Sequence, residues 1–128
     1  RLNVYVAQRA KLAQQYDELL AGLPVVTPWQ HPDGASAWHL YVVRLQLDGL
    51  PLNHRQVFEA LREQGIGVNL HYIPVHTQPY YRRLGFGSGD FPIAEAYYAE
   101  AISLPLYPTL PESDQMRVVS ALRRVLSP

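Results

Sequence analysis

The sequence predicts an α/β domain: a small three-stranded sheet covered by helices and preceded by a long helix. Three observations carry this. Apolar residues recur at three- and four-residue spacing near both ends of the chain, the period of an amphipathic helix. Between them lie short apolar runs of strand length, one of which alternates its faces. Gly, Pro and Asp-Gly pairs punctuate the chain where each element should stop.

The first helix occupies 1–22. Val6, Ala10, Ala13, Tyr16 and Leu20 form its apolar stripe, with Arg9, Lys11, Gln14, Gln15, Asp17 and Glu18 between them. Gly22 closes it, but nothing at Arg1 to Asn3 caps its start, which points to a segment upstream. A Pro-rich loop over 24–32 and an Asp33-Gly34 turn follow. Residues 38–47 form the clearest strand, with Tyr41, Val43, Leu45 and Leu47 on one face and Leu40, Val42, Arg44 and Gln46 on the other. Asp48-Gly49 ends it.

Asn53 then caps a helix over 54–64, with Gln56 three residues on, Val57, Phe58 and Leu61 as the stripe, and Gly65 as the stop. A second strand spans 68–72 and is broken by Pro74, which has no amide hydrogen for a ladder. Pro79 opens a short helix over 78–84, a Gly-rich loop covers 85–89, and Pro92 starts a helix over 92–101. The third strand is 102–106. Pro111 starts the last helix, with Glu112 and Asp114 near its positive end and Arg123 and Arg124 near its negative end. Met116, Val119, Leu122 and Leu126 form its buried side.

Composition narrows the function. A chain of 128 residues fits one domain, and 48% apolar content with zero net charge excludes disorder and a polyelectrolyte partner. Ten Arg and one Lys are scattered, so no basic track for nucleic acid exists, and the nine Tyr read as core and pocket residues. No Cys is present, which rules out a disulfide framework and a thiolate metal site. Apolar stretches fall short of a membrane span and no signal-peptide pattern is seen, so no membrane partner and a cytoplasmic location are expected.

Polar and aromatic groups concentrate at 65–81. His71 and His76 donate or accept near neutral pH, and Tyr72, Tyr80 and Tyr81 offer flat apolar faces with polar tips, which suits sugars and nucleobases. On the residues alone they read first as hydrogen-bonded histidines and core tyrosines, and His39 as a sheet histidine. His71 and His76 lack a third ligand and the helical His-x-x-x-His spacing, so no metal site is expected. The glycines of 84–90 are not followed by the Lys and Ser/Thr of a phosphate cradle and read as a flexible loop; Asp and Glu read as solvated helix faces.

Three stretches resemble the C-terminal region of the DegT/DnrJ/EryC1/StrS family of sugar aminotransferases. They are Ala37-Trp38-His39-Leu40-Tyr41-Val42-Val43, the 65–81 segment, and Ile102-Ser103-Leu104-Pro105-Leu106-Tyr107-Pro108 with its following helix. Within the family, His71-Tyr72-Ile73-Pro74-Val75-His76, Gln78-Pro79-Tyr80-Tyr81 and Gly89-Asp90-Phe91-Pro92 are most similar to the UDP-4-amino-4,6-dideoxy-N-acetyl-altrosamine transaminases of pseudaminic acid synthesis.

The resemblance implies a fold-type-I pyridoxal 5'-phosphate (PLP) enzyme for surface-glycan biosynthesis. It is a homodimer that moves an amino group from glutamate to a 4-keto sugar on UDP. Residues 1–22 would be the linking helix from a large domain, and 23–128 the small C-terminal domain that closes over the sugar nucleotide. His71, Tyr72, His76 and Tyr80 are the implied substrate contacts, with Gln78, Tyr81 and His39 behind them. The family's cofactor residues lie upstream of Arg1, so no catalytic or cofactor-binding residue is assigned. PLP chemistry needs a lysine imine, and Lys11 sits on the polar side of a helix. Alone, the chain is expected to bind no PLP, to be inactive, and to leave Val6, Ala10, Ala13, Tyr16 and Trp38 open to self-association. The competing expectation is a stand-alone, non-catalytic α/β module that binds a partner or small ligand.

Overall fold

The computed structural model describes residues 1–127. In chain order the elements are α1 (Leu2–Leu19), β1 (Val25–Val26), β2 (Tyr41–Leu45), α2 (His54–Glu63), a 3-10 turn (Val75–Thr77), α3 (Pro79–Arg83), α4 (Pro92–Glu100), β3 (Ala101–Leu104) and α5 (Glu112–Leu126). The sheet is antiparallel in the order β1-β2-β3, with Val25 opposite Leu45 and Tyr41 opposite Leu104.

The period-two pattern of β2 builds the core. Tyr41, Val43 and Leu45 are buried, while Val42 and Arg44 between them stay half-exposed. Three helices close over the buried row: α1 through Leu12, Ala13 and Tyr16, α2 through Val57 and Leu61, and α5 through Val118, Val119, Leu122, Val125 and Leu126. Most polar groups inside are paired; the Gln115 side-chain oxygen is buried without a partner. The Tyr16 hydroxyl donates to the Pro105 carbonyl (2.9 Å), the Tyr41 hydroxyl to Asp17 (2.5 Å), and the Gln115 amide to the Leu12 carbonyl (2.8 Å), which ties α5 to α1. The expected caps hold. Asn53 and Gln56 exchange side-chain and backbone bonds as a capping box, and Gly65 takes φ 76° just beyond α2, where a side chain would be strained.

The sheet has three strands, as expected, but not the expected three. Residues 68–72 do not form a strand; they make one bridge, between Asn69 and Ser103 (N···O 3.2 and 2.8 Å). The Asn69 side chain accepts the Leu70 amide (2.8 Å), which takes that donor out of any ladder, and Pro74 follows. The missing member, β1, lies inside the Pro-rich loop, on an edge where prolines cost no ladder bond.

Boundaries move too. Trp38 has φ 49°, outside the extended region, so β2 begins at Tyr41 and leaves His39 in a bend before it; β3 ends at Leu104. On α5, Met116 is 43% exposed and Gln115 takes the buried place, one helical step away. Ala13 and Tyr16 are sealed in the chain's own core and Trp38 packs against it. Exposed large apolar side chains lie at the start of α1, at Leu2, Val4 and Tyr5, and gather along 72–97, at Tyr72, Ile73, Val75, Tyr80, Phe91 and Ile93. Among the described residues no helix is long and apolar enough to cross a membrane.

Candidate functional site

The segment that carries the site hangs from β3. His71 Nδ1 and the Ser103 hydroxyl lie 2.8 Å apart, and Ser103 is buried, so the half-buried imidazole is held at the sheet edge. The His71–Tyr72 peptide is cis. Tyr72 beyond it is 74% exposed, its ring edge-on to His71 at 4.7 Å. The 3-10 turn then closes on Pro74, whose carbonyl accepts both the Thr77 amide and hydroxyl (2.9 and 2.7 Å). That turn points His76 inward, where it is 7% exposed with its ring 4.8 Å from that of Phe91.

The His76 Nε2–H donates to Glu95 on the first turn of α4 (2.8 Å). The same carboxylate accepts the Gly89 amide (2.7 Å) and the Ser88 hydroxyl (2.9 Å). Gly89's amide first, then His76 and Ser88, hold the Glu95 carboxyl below its ordinary value. The Gly-rich loop is therefore anchored rather than free, which corrects the sequence expectation. Its Gly87 amide is also taken, by Asp90 (2.8 Å), so carboxylates occupy the donors a phosphate would need.

Two clefts meet here. One, of about 380 Å³, is lined by Val75, His76, Tyr81, Phe86, Phe91 and Ala94. Its neighbour, of about 730 Å³, shares Val75, Phe91 and Ala94 and adds Tyr72, Ile73 and Tyr97. The walls are apolar and aromatic with few polar tips, the character of a small-molecule site.

Of the residues singled out in the sequence, Tyr72, His76 and Tyr81 line these clefts. His71 adjoins them through Tyr72. Tyr80 is exposed with its ring edge-on to Tyr81 at 5.3 Å, and Gln78 caps α3, its carbonyl accepting the Arg82 amide (3.0 Å). His39 is not brought into the group; it is exposed in the bend before β2. The sequence reading missed Glu95, Ser88 and the Phe86–Phe91 pair, whose rings lie 6.1 Å apart. The available signal was Pro92 at the start of α4, which sets Glu95 facing the loop before it.

The residues present do not fit PLP. Lys11 is exposed on α1 and lines a separate cleft with Gln8, Gln15 and Pro108, while no lysine lines the clefts above. Among the described residues no three His, Asp or Glu side chains gather as a metal ion would require.

Comparison with known proteins defines the family. Residues 1–123 match the DegT/DnrJ/EryC1/StrS aminotransferase family. The spore coat polysaccharide biosynthesis protein SpsC of Bacillus subtilis is 36% identical over 98% of this chain and 33% of its own length. DesV of S. venezuelae, solved with a ketimine intermediate, superposes with a TM-score of 0.88 at 31% identity, over 98% of this chain and 33% of that one. Helicobacter pylori PseC, an aminotransferase of pseudoaminic acid biosynthesis, shares the fold at TM-score 0.81 and 23% identity, over 95% of this chain and 33% of that one. The chain thus spans about a third of the length of these relatives. On the family match over residues 1–123, the chain belongs to the DegT/DnrJ/EryC1/StrS aminotransferase family.

Proposed function

We propose that this chain is the substrate-closing part of a PLP-dependent aminotransferase that moves an amino group from glutamate to a 4-keto sugar on UDP, in the making of bacterial surface glycans. Among such sugars, the precursor of 4-amino-4,6-dideoxy-N-acetyl-altrosamine, on the way to pseudaminic acid, is the substrate its 71–92 motifs favour. The observation that carries the reading is the paired cleft, with Tyr72, His76 and Tyr81 set among apolar walls on a chain of this family.

In this reading residues 1–22 link to a large domain and 23–128 form the small domain of a cytoplasmic homodimer. His71, Tyr72, His76 and Tyr80 contact the sugar nucleotide, and Gln78 and Tyr81 are further contacts. Aromatic faces cover sugar or base, His71 bonds hydroxyl or pyrophosphate oxygens through its free Nε2, His76 accepts from a sugar hydroxyl, and the apolar walls exclude water. PLP, bound by residues of the rest of the protein, supplies the electron sink and carries the amino group. None of the residues here moves the proton; their work is binding and orientation, so the chain alone binds no PLP and is inactive.

The test uses the full-length protein. Glutamate should convert the bound cofactor to its amine form, seen as a shift in absorbance, and a UDP-linked 4-keto-6-deoxy sugar should restore the original spectrum. A protein whose spectrum glutamate changes but no keto sugar restores does not have this substrate class.

A further inference from the structure

The Glu95 carboxylate joins three stretches of chain that do not otherwise touch through hydrogen bonds in this region. From α4 it reaches His76 in the 3-10 turn, nineteen residues back, and Ser88 and Gly89 in the Gly-rich loop, seven and six back. These stretches are also the walls of the smaller cleft. Val75 and His76 come from the turn, Phe86 from the loop, and Phe91 and Ala94 from the start of α4. Glu95 lines neither cleft, and both its oxygens are spent on protein donors.

We propose that Glu95 is the positioning residue of this site: it locks His76, Ser88 and Gly89 in one arrangement and so sets the shape of the cleft that receives the sugar nucleotide. The receiving role rests on the function proposed above; the lock itself does not.

The chemistry explains why a carboxylate stands there. Three donors converge, and an ionised carboxylate accepts at both oxygens, whereas an amide offers one acceptor and one donor. Charge-assisted bonds of 2.7–2.9 Å are the stronger kind, and here they hold a loop rich in glycine. The lock also orients the imidazole. With Nε2–H committed to Glu95, the neutral His76 ring keeps Nδ1 as its remaining polar atom, an acceptor suited to a hydroxyl donor.

Two measurements test this. In the chain itself, nitrogen-15 NMR reads the His76 tautomer and the exchange rate of the Gly89 amide. Wild type should show the Nε2–H tautomer and a protected Gly89. Glu95→Ala should speed Gly89 exchange at least about tenfold and mix the tautomers, as loss of bonds to a charged group predicts. The amides of Val43 and Ile102 should stay protected; if they do not, Glu95→Gln, which keeps the size, replaces it and should give an intermediate effect. An unchanged Gly89 and His76 in either folded variant overturns the lock.

In the full-length protein, Glu95→Gln should weaken binding of UDP-N-acetylglucosamine, used as the probe, by about tenfold while the half-reaction with glutamate keeps its rate. A disrupted lock with unchanged affinity overturns the positioning role alone. A wild-type protein that binds no UDP-sugar overturns the sugar-nucleotide reading, and the positioning role with it.

Discussion

His71 on the site segment and Ser103 on β3 stand 2.8 Å apart, Nδ1 to hydroxyl, and through this contact the candidate site is fastened to the sheet. The fastening adds to one backbone bridge, Asn69 with Ser103, so a single β3 residue carries both anchors. Ser103→Ala keeps the bridge and removes the hydroxyl. It should cost about 1 kcal/mol of stability, read as a lower urea midpoint. In the full-length protein it should also weaken UDP-sugar binding severalfold. Unchanged affinity would mean that His71 is a structural residue only.

Tyr16 and Tyr41 predict the behaviour in alkali. Their rings lie 4.9 Å apart in the core, and burial first of all pushes both hydroxyls well above the ordinary 10.0; for Tyr41 the bond to Asp17 adds to it. The sign follows from linkage. The unfolded chain loses these protons near pH 10 while the folded chain keeps them, so their contribution is intact below pH 10 and falls above it. Urea midpoints should therefore hold steady from pH 7 to 9 and drop from pH 10 to 11.5. Tyr41→Phe should drop less steeply, because one of the two groups is gone. A midpoint flat through pH 11.5 would contradict the burial of both hydroxyls.

The capping box at α2 gives a change away from the site. Asn53→Ala removes the acceptor for the Gln56 amide (3.0 Å) and should destabilise the chain by about 1 kcal/mol. Thermal unfolding reads the loss. The Gly89 amide and the His76 tautomer should be unmoved, since neither lies on α2.

Most of the helical frame was legible in the sequence. The C-terminal half of the α1 stripe, Ala13, Tyr16 and Leu20, and the α2 stripe lie in or against the core, while Val6 and Ala10 stay outside it, and Gly65 and Asn53 carry local signals that no distant contact overrides. What was illegible depended on remote partners. Val25 and Val26 are only two residues, and their being a strand is decided by pairing with Leu45 and Arg44. Asn69 sits where a strand could form, but its own side chain competes for the next amide. Gln115 displaces Met116 from the core because the Leu12 carbonyl, over a hundred residues away in sequence, accepts its amide. The site divides in the same way. The chemistry of His71, His76 and the tyrosines was visible by residue type and their crowding into 65–81. Glu95 was not, because an acid in a first helical turn reads as a dipole partner facing water.

The central claim is that the cleft around His76 receives the sugar nucleotide and takes no part in the chemistry with glutamate. Rapid mixing of the full-length protein, wild type and His76→Ala, with each substrate in turn separates the two half-reactions. The reaction with the 4-keto sugar nucleotide should slow about tenfold, the equivalent of one lost hydrogen bond between neutral groups. The reaction with glutamate should keep its wild-type rate. Equal slowing of both half-reactions, or of neither, would contradict the claim and leave His76 as a structural partner of Glu95.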